Sequence, residues 1–352
     1  MNEKRVLVGL SGGVDSSVCA LRLLRAHWQV VGATLDLCDG AASGSIGDAA
    51  AVAEKLGIPF SAHNFRADFA HNVMDAFAAD YAAGRTPTPC IACNPKVKFA
   101  KMLETADALG CTHIATGHYA RVEYDENRGR WLLKKGRNLA KDQSYVLYRL
   151  SQQQLSRTLL PLGEAQSKDE IRTEAERAGL VTARKKDSQD ICFIPGGDYT
   201  AFLRRRGVTL APGNFVDESG AVLGRHRGLP CYTAGQRKGL GVGGSAYPLY
   251  VLRKCAADNT VVLGPEEHLY TRRAVIAQTN WIAFARPEEP FRCTAKTRYS
   301  QREAAATVLP LPDGRAEILF DEPQRAVTAG QSAVFYDGDT VLGGGILCGE
   351  GE

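Results

Sequence analysis

Six consecutive residues near the start of the chain, SGGVDS from Ser11 to Ser16, are of types that bind phosphate. A short apolar run typical of a β-strand precedes them, and apolar residues with helical spacing follow Ser16. In a glycine-rich turn between a strand and a helix, the backbone N–H groups point to one place and the positive end of the helix dipole adds to them. The stretch therefore predicts an anion cradle for phosphate.

This loop is not a Walker-type phosphate loop, because Val14, Asp15 and Ser16 stand where Gly-Lys-Ser/Thr would end that motif. GLSGGVDS, Gly9 to Ser16, instead resembles the loop of the pyrophosphatase-type nucleotide-binding enzymes. That resemblance implies cleavage of ATP between its α and β phosphates and adenylation of a substrate oxygen. The structural alternative is a glycine-rich turn in which Asp15 and Ser16 cap the helix.

Cysteine thiols are the second chemical feature. Cys90 and Cys93 form a C-x-x-C pair in GRTPTPCIACNPKVKF, and Cys192 lies in KKDSQDICFIPGGDY. The other seven cysteines, Cys38 among them, are predicted to be packing residues.

The surroundings of the C-x-x-C pair predict reactive thiols. Two X-Pro steps indicate an extended loop that leads into a helix starting near Pro95. A helix start with Lys96 and Lys98 nearby lowers the pKa of a thiol and makes it a better nucleophile.

A lone C-x-x-C pair is compatible with zinc, with an iron–sulfur cluster or with a redox pair. Zinc has little support, because no second C-x-x-C or histidine pair stands at finger spacing. Two separated thiols beside an ATP-adenylating loop suit the exchange of oxygen for sulfur. Adenylation makes the oxygen a leaving group, a persulfide sulfur attacks the carbon, and a second thiol reduces the persulfide.

The predicted secondary structure that must position these residues changes near residue 205, from alternating strands and helices to strands alone. Before it, predicted strands alternate with predicted helices, which indicates a parallel sheet with helices on both faces. A capping box, Ser167 to Glu170, predicts a later helix. After Arg206, short strands with frequent Gly and Pro predict one or two small β-barrels, and Asp313-Gly314 and Asp337-Gly338 are typical of hairpin turns.

Length and composition favour an intracellular enzyme of two or three domains. The chain has 352 residues, and 43 Lys+Arg against 39 Asp+Glu give a net charge of only +4. Any RNA binding must therefore use local patches such as Arg184-Lys185-Lys186, Arg204-Arg205-Arg206 and Arg225-His226-Arg227. Each run taken alone is more typical of a solvated surface than of an RNA site.

Two absences predict a cytoplasmic protein without a membrane partner. No apolar run approaches the roughly 18 residues of a membrane span, and the chain enters its first strand directly after Lys4. Ten cysteines without a tight framework indicate reduced thiols.

Seven motifs stand in one order along the chain: GLSGGVDSS, GRTPTPCIACNPKVKF, ATGHYAR, KDQSY, DSQDICFI, YTAGQRKGLGVGG and GQSAVFYDGDTVLGGGI. With them the chain resembles the bacterial tRNA-specific 2-thiouridylases along nearly its whole length. The resemblance implies an α/β parallel-sheet pyrophosphatase-loop catalytic domain at 1–205, a small central β-rich domain at 206–270 and a C-terminal β-barrel at 271–352. It implies ATP-dependent sulfur transfer to the 2-position of the wobble uridine in tRNAs for Lys, Glu and Gln.

The resemblance also assigns residues. Cys192 matches the cysteine that carries the persulfide, and Cys93 matches the thiol that closes a disulfide with it as sulfur leaves. The ATP-binding positions are Gly9, Leu10, Ser11, Gly12, Gly13, Val14, Asp15, Ser16, Leu35 and Gly117. The positions that contact the tRNA anticodon loop are Thr88, Pro89, Cys90, His118, Lys141, Asp142, Gln143, Arg298, Tyr299 and Gln331.

Two positions depart from the family pattern. Leu35 stands where Met is usual and keeps the apolar contact. Cys90 stands where many members have Asp, and a thiol of ordinary pKa cannot replace a carboxylate at neutral pH. Without the family match, structural interpretations are favoured: His118 as a strand-end hydrogen-bonding residue, KDQ as a solvated helix start and Arg298-Tyr299 as an ordinary strand pair.

The expected cofactors are ATP and Mg²⁺, with Asp15 as a ligand because a loop without lysine needs a metal to balance phosphate charge. If the two cysteine loops meet over the ATP site, Cys90, Cys93 and Cys192 can alternatively hold a [4Fe–4S] cluster with one open iron. The persulfide relay is favoured, because the family match includes two of these cysteines directly. The expected partners are tRNA and a persulfide donor, either a cysteine desulfurase or a sulfur-relay protein.

Two other functions stay open. Another ATP-pyrophosphatase-type synthetase or amidotransferase acting on a small molecule would explain SGGVDS, but not Cys93, Cys192 or the β-rich half. A non-enzymatic RNA- or metal-binding module would need only the C-x-x-C pair and the barrels.

Overall fold

The computed structural model of the chain describes residues 4–38, 42–185, 191–245 and 247–349. Met1 to Glu3, Lys186 of the first basic run and the DSQD part of the second cysteine motif lie outside the described residues. Among the residues that are described, no helix is long and apolar enough to cross a membrane.

The strands of the described residues form three sheets. In chain order the strands are β1 (Arg5–Gly9), β2 (Gln29–Asp36), β3 (Phe60–Asn64), β4 (His113–Ala115), β5 (Ala120–Asp125), β6 (Arg130–Lys135), β7 (Thr158–Leu159), β8 (Gly213–Val216), β9 (Val222–His226), β10 (Tyr250–Cys255), β11 (Thr260–Gly264), β12 (Tyr270–Trp281), β13 (Phe291–Lys296), β14 (Ala304–Pro310), β15 (Ala316–Arg325), β16 (Ser332–Asp337) and β17 (Thr340–Leu347).

The α-helices of the described residues all lie in the first 205 positions. They are α1 (Val14–Arg25), α2 (Ala42–Leu56), α3 (Arg66–Phe69), α4 (Ala76–Ala82), α5 (Pro89–Cys93), α6 (Phe99–Ala108), α7 (Ser144–Leu147), α8 (Gln152–Ser156), α9 (Lys168–Arg177) and α10 (Tyr199–Arg205).

The first sheet confirms the predicted α/β class. Its five strands are all parallel and follow the order β3-β2-β1-β4-β7. Helices cover the central strand β1, and Val6, Leu7 and Val8 are completely buried. A strand that is buried on both faces has an unbroken apolar sequence rather than an alternating one, as VLV shows here.

The cysteine-bearing helix starts earlier than its sequence predicts. The start expected near Pro95 is wrong, because α5 begins at Pro89 with Thr88 as its N-cap. Proline is favoured in the first helical turn, where its missing N–H would have no partner anyway. A wider π-helical turn at Asn94–Lys98 then takes up Pro95 and joins α5 to α6.

Half of the predicted capping box forms at α9. The Ser167 hydroxyl accepts the Glu170 N–H at 3.1 Å. The Glu170 carboxylate accepts the N–H of Gln166 at 2.8 Å instead of that of Ser167.

The two β-rich regions differ in closure. Strands β8 to β11 form a four-stranded mixed sheet in the order β10-β11-β8-β9. Strands β12 to β17 form an antiparallel ring in the order β12-β15-β14-β13-β16-β17, and the β12–β17 pairing closes it into a barrel. Both predicted hairpin turns lie in this barrel, after β14 and β16.

A hairpin from the catalytic half, β5–β6, extends the barrel sheet. Lys134 of β6 pairs with Thr340 of β17. Tyr145 and Tyr148 of the first half pack in one buried cluster with Val334 and Tyr336 of the barrel. The α/β half and the barrel therefore share a hydrophobic core.

Candidate active site

The carboxyl edge of the parallel sheet gathers the predicted nucleotide residues. Strands β1, β2 and β4 are neighbours and run in the same direction, so the segments that follow them emerge together. Those segments contain the loop after Gly9, the stretch from Leu35 to Cys38, and Gly117. In open parallel sheets ligands bind at this edge.

The phosphate loop has a conformation that only glycine adopts easily. Gly12 has φ = +68°, and a Cβ at this position would lie 2.4 Å from the Ser45 carbonyl oxygen. Gly13 is the N-cap of α1, and no side chain caps this helix. Among the described residues, no acceptor pairs with the N–H groups of Gly12 and Gly13. The helix-capping alternative for Asp15 and Ser16 is therefore wrong, and the loop keeps its donors for a ligand.

Hydroxyl groups hold the loop from inside. Ser16 Oγ accepts the Ser11 N–H at 3.1 Å and donates to the Gly13 carbonyl at 3.0 Å. Ser17 Oγ donates to the same carbonyl at 2.9 Å and accepts from Thr182 Oγ1 at 2.9 Å. The Ser16 side chain thus fixes the shape of the loop through its contacts with Ser11 and Gly13.

Asp15 lies in an ion pair. Lys168 Nζ lies 2.8 Å from both Asp15 carboxylate oxygens, and the Tyr119 hydroxyl donates to Oδ1 at 2.7 Å. Lys168 lies in the first turn of α9, 153 positions from Asp15. The loop lacks a lysine of its own, but the tertiary fold brings one to it.

A second lysine reaches the loop from a predicted RNA-binding run. Lys185 Nζ donates to the Gly12 carbonyl at 2.9 Å and lies 2.5 Å from Asp48 Oδ2. Lys185 thus joins the phosphate loop to Asp48 of α2. The sequence instead predicts RNA binding for Lys185, because its neighbours in the chain are basic and its contact with Gly12 arises only in the folded protein.

Gly117 closes the nucleotide edge by a tight backbone approach. A Cβ on Gly117 would lie 2.8 Å from the Asp15 carbonyl carbon and 2.9 Å from the Ser16 nitrogen. Leu35, half-buried in β2, packs against the main core with its apolar side chain. Both predicted positions therefore lie at the same edge as the loop.

The three cysteines of the two predicted motifs differ in environment. Cys93 is buried in α5, only 4 % exposed, whereas Cys90 and Cys192 are exposed. Lys98, at the end of the π-helical turn, interacts electrostatically with all three thiols. Burial lowers the pKa of Lys98, but its electrostatic interaction with the neighbouring sulfurs raises that pKa by more, so the net shift is upward.

The predicted low thiol pKa occurs at Cys192 and not at Cys93. A hydrogen bond from the Cys38 thiol, helped by the positive charge of Lys98, lowers the pKa of Cys192 to about 6. Burial raises the pKa of Cys93 to about 11, and Lys98 offsets this only in part. The prediction for Cys93 is wrong, because desolvation exceeds the effect of the neighbouring charge. At neutral pH Cys192 is a thiolate and Cys93 a thiol.

The described residues hold no ready metal site. No group of three or more His, Cys, Asp or Glu side chains among them is arranged to hold a metal ion. Cys90, Cys93 and Cys192 share one cation, yet do not form a ligand set.

His118 is held as a neutral ring. Its Nδ1 lies 2.8 Å from Thr116 Oγ1, and its ring packs beside Phe99. Burial and the charge of Lys98 lower the pKa of His118 to about 3. An uncharged imidazole can offer a hydrogen bond to a base but no ion pair to a phosphate.

Thr88 and Gln331 connect the helix α5 start with the barrel. Thr88 Oγ1 donates to Gln331 Oε1 at 3.2 Å, and Gln331 Nε2 donates to the Thr86 carbonyl at 2.5 Å. These predicted tRNA residues line or border a cleft of about 530 Å³ between the α/β half and the barrel. Four cationic side chains line the cleft as well: Arg85, Lys96, Arg149 and Arg315.

Asp142 and Gln143 are engaged within the fold. Asp142 Oδ1 accepts the N–H groups of Gly136 and Ser144 at 3.0 and 3.1 Å. Gln143 Oε1 accepts the Tyr119 N–H at 3.0 Å. These contacts agree with a structural role for both side chains, while Lys141 beside them is exposed.

Arg298 and Tyr299 lie where the domains meet. Arg298 Nη2 donates to the carbonyls of Ala234, at 3.1 Å, and Ala326, at 2.9 Å. Its buried Nε has no partner among the described residues. The Tyr299 hydroxyl donates to the Asp142 carbonyl at 3.1 Å.

Two residues of this site, Lys168 and Cys38, are not predicted by the sequence. Lys168 follows a capping serine and has the pattern of a helix start, and Cys38 follows an apolar strand. The sequence indicates only that each lies at the end of a helix or strand, and side chains at such ends can reach the carboxyl edge of a parallel sheet.

Comparison with known families covers the three regions in turn. Family models match the tRNA methyl transferase HUP domain at residues 4–196, the tRNA methyl transferase PRC-barrel domain at 200–265 and the aminomethyltransferase beta-barrel domain at 271–347.

Curated relatives match the whole chain. It is 47 % identical to the tRNA-specific 2-thiouridylase MnmA of Acetivibrio thermocellus, over 99 % of this chain and 100 % of the relative. It is 48 % identical to the protein of the same name from Heliobacterium modesticaldum, over 98 % of this chain and 92 % of the relative. The corresponding protein of Clostridioides difficile is 44 % identical over 98 % of both chains.

Proposed function

The chain belongs to the tRNA-specific 2-thiouridylases, and from this membership we propose that it transfers sulfur to the 2-position of the wobble uridine of tRNA with consumption of ATP. The observation that supports this most directly is that a cysteine with a lowered pKa contacts the segment after β2, at the edge of the parallel sheet where the phosphate loop also lies. Cys192 contacts Cys38, which follows β2, and β2 is the neighbour of the strand that ends in the loop. The tRNAs for Lys, Glu and Gln are the substrates that the sequence resemblance implies.

The loop and its lysines suit an adenylation step. As co-substrate, ATP supplies the adenylyl group that turns the uridine 2-oxygen into a leaving group. The N–H groups of Gly12 and Gly13 are available to phosphate oxygens, and Lys185 adds a positive charge at the loop. Fixed donors of this kind stabilise charge that develops during phosphate cleavage.

The two predicted metals do not fit the residues as they stand. Lys168 and Tyr119 already occupy the Asp15 carboxylate, so Mg²⁺ could bind there only after Lys168 leaves. The three cysteines do not form a cluster site among the described residues. No step of the proposed reaction is assigned to either metal.

The thiols suit a persulfide relay. The Cys192 thiolate attacks the terminal sulfur of a donor persulfide, so that Cys192 gains a persulfide and the donor leaves as a thiolate. The terminal persulfide sulfur then attacks C2 of the activated uridine and expels AMP. Attack of a second thiol on Cys192 Sγ frees the thiolated base and leaves a protein disulfide. Cys93 is the second thiol that the family resemblance implies.

The cleft suits an unstacked nucleotide. A wobble base must leave its stack before a thiol can reach its 2-oxygen. Thr88 and Pro89, the predicted target-base residues, line the cleft together with the four cationic side chains. Positive charge in this cleft favours the phosphates on either side of the base.

The test is a reconstituted reaction. The protein is incubated with ATP, a persulfide donor and unmodified tRNA, and the digested nucleosides are analysed by mass for 2-thiouridine. We expect product that depends on ATP and is lost in Cys192→Ser, while Cys255→Ser, a substitution in β10, keeps it. Product formed equally without ATP, or by Cys192→Ser, would overturn the proposal.

A further inference from the structure

The thiol in direct contact with Cys192 is Cys38. Cys38 Sγ donates a hydrogen bond to the Cys192 carbonyl oxygen at 3.8 Å. The Cys38 thiol is also close enough to the Cys192 sulfur to lower the pKa of Cys192. Two cysteines separated by 154 positions therefore face each other.

The fold fixes this contact from both sides. Cys38 lies two residues beyond β2, and Leu37 and Cys38 pack against a buried aromatic cluster that contains Phe193. Ile191 packs against the same cluster, so the residues flanking Cys192 are held there too. Cys93 is a buried member of this cluster. Three thiols therefore border one apolar cluster, with Cys192 on its exposed side.

Accessibility separates the two thiols that neighbour Cys192. The pKa of both thiols is raised, that of Cys93 by burial and that of Cys38 mainly by its hydrogen bond with Cys192, so the protonation state favours neither of them. Cys93 is 4 % exposed, whereas Cys38 is only half-buried and its Sγ lies 3.8 Å from the Cys192 carbonyl oxygen. A thiol that attacks a disulfide or persulfide must reach the sulfur in line with the bond that breaks, so access decides between two thiols of similar chemistry.

We propose that Cys38 is a further catalytic residue, a thiol that attacks Cys192 Sγ when Cys192 holds a persulfide. This inference rests on the proposed function, which places the persulfide on Cys192. In the step without tRNA, the Cys38 thiol and the Cys192 persulfide anion give a Cys38–Cys192 disulfide and HS⁻. The Cys38 proton leaves with the sulfide, the sulfane sulfur is reduced and Cys38 is oxidised.

The experiment loads Cys192 chemically and needs neither ATP nor tRNA. The full-length protein is treated with glutathione persulfide, freed of the reagent by gel filtration, and analysed for released sulfide and for disulfides by non-reducing peptide mass mapping. The variants are Cys38→Ser and Cys93→Ser. The matched control is Cys231→Ser, because Cys231 is also half-buried and donates to a carbonyl, that of Arg227, at 3.9 Å. Thermal unfolding checks each variant, and Cys38→Ala serves as a second substitution.

We expect a Cys38–Cys192 disulfide and matching sulfide release in the wild type, in Cys93→Ser and in Cys231→Ser, and loss of both in Cys38→Ser and Cys38→Ala. Cys192 paired only with Cys93, or sulfide release by Cys38→Ser at the wild-type rate, would overturn the inference. If the protein thiolates tRNA but gives either of these overturning results, the proposed function stands and the role of Cys38 is excluded. A protein that forms the Cys38–Cys192 disulfide but thiolates no tRNA loses the proposed function and keeps the reactive pair.

Discussion

At the level of single residues, the site works through charges that lie beside reactive groups. Lys98 is the cation shared by three thiols, and Lys168 is the cation that pairs with Asp15. Burial is the larger effect at two other groups: it raises the pKa of Cys93 and lowers the pKa of His118, so it disfavours the charged form of both. Lys98 lowers the pKa of both Cys93 and Cys192, but burial outweighs it at Cys93, whereas the hydrogen bond from Cys38 adds to it at Cys192.

Lys168→Met tests the ion pair at the loop. The substitution leaves the Asp15 carboxylate without its cation, so we expect the free energy of unfolding to fall by about 1–2 kcal/mol. An uncompensated charge beside the phosphates should lower ATP-dependent thiolation about tenfold or more, since about 1.4 kcal/mol of barrier is tenfold in rate. Denaturant unfolding and the tRNA assay measure these effects. Lys101→Met is the control, because Lys101 pairs with Asp68 and Glu104 elsewhere; an equal decrease in both variants would contradict the prediction.

The pH dependence of thiol alkylation tests the assignment of the thiolate. The pKa of Cys192 is lowered to about 6, so its thiolate is present above that pH and is lost as the pH falls through it. Iodoacetamide should therefore modify Cys192 with a midpoint near pH 6, while Cys93 stays unreactive until the pH approaches 11. Peptide mass analysis across pH 4 to about 9 follows both sites. A Cys192 midpoint at the ordinary thiol value would show that the hydrogen bond from Cys38 is absent in solution.

At the level of helices and strands, the loop between β1 and α1 depends on close backbone contacts. Gly12 passes beneath Ser45 of α2, and Gly117 lies against the first turn of α1. The nearest atoms in both contacts belong to the backbone, which cannot rotate away as a flexible side chain can. The loop is therefore rigid because three segments of backbone touch.

Gly117→Ala tests this packing. The new Cβ would lie within 3 Å of α1 backbone atoms, so one backbone must shift, at a cost of about 1–3 kcal/mol. We expect lower thermal stability and weaker ATP binding by equilibrium dialysis. Gly47→Ala in α2 is the matched control, because its Cβ meets nothing within 4 Å and alanine favours a helix by up to about 1 kcal/mol. If Gly117→Ala binds ATP as tightly as Gly47→Ala, the tight approach is not needed for the site.

Across the whole molecule, the cleft joins the chemistry to the proposed path of the RNA backbone. Its walls come from α4 and α5 on one side and from β12 and β17 on the other. The β5–β6 hairpin and the shared core join the barrel to the α/β half, and residues of both halves line the cleft. A change in either half should therefore alter tRNA binding.

Lys96→Ala and Arg149→Ala test the charge of the cleft. Each removes one cation from its lining, so we expect weaker tRNA binding and a shallower dependence of log affinity on log salt, by roughly 0.7–0.9 for each phosphate that is no longer neutralised. Filter binding at several salt concentrations gives both quantities. Lys55→Ala, at the exposed end of α2, is the control for net charge alone. Identical salt slopes for all three variants would exclude the cleft as the phosphate path.

Features that depend on short spacings could be predicted from the amino-acid sequence. The strand, loop and helix around Ser11 to Ser16 and the parallel sheet follow from local patterns, and the structure confirms them. The α5 start at Pro89 was not predictable in the same way, because either proline-bearing turn of GRTPTPCIACNPKVKF could begin a helix. Tertiary packing and the wider turn at Asn94–Lys98 decided it.

Which charges and thiols face each other follows from the folded chain alone. Lys168 meets Asp15 across 153 positions, Lys185 meets Gly12 across 173, and Cys38 meets Cys192 across 154. No local pattern encodes such contacts, because each depends on which strand ends share the carboxyl edge of the sheet. The sequence likewise does not determine which of Cys93 and Cys192 has the lower pKa. It shows the lysines near Cys93, but the burial that outweighs their effect there, and the hydrogen bond from Cys38 to Cys192, arise only when the chain is folded.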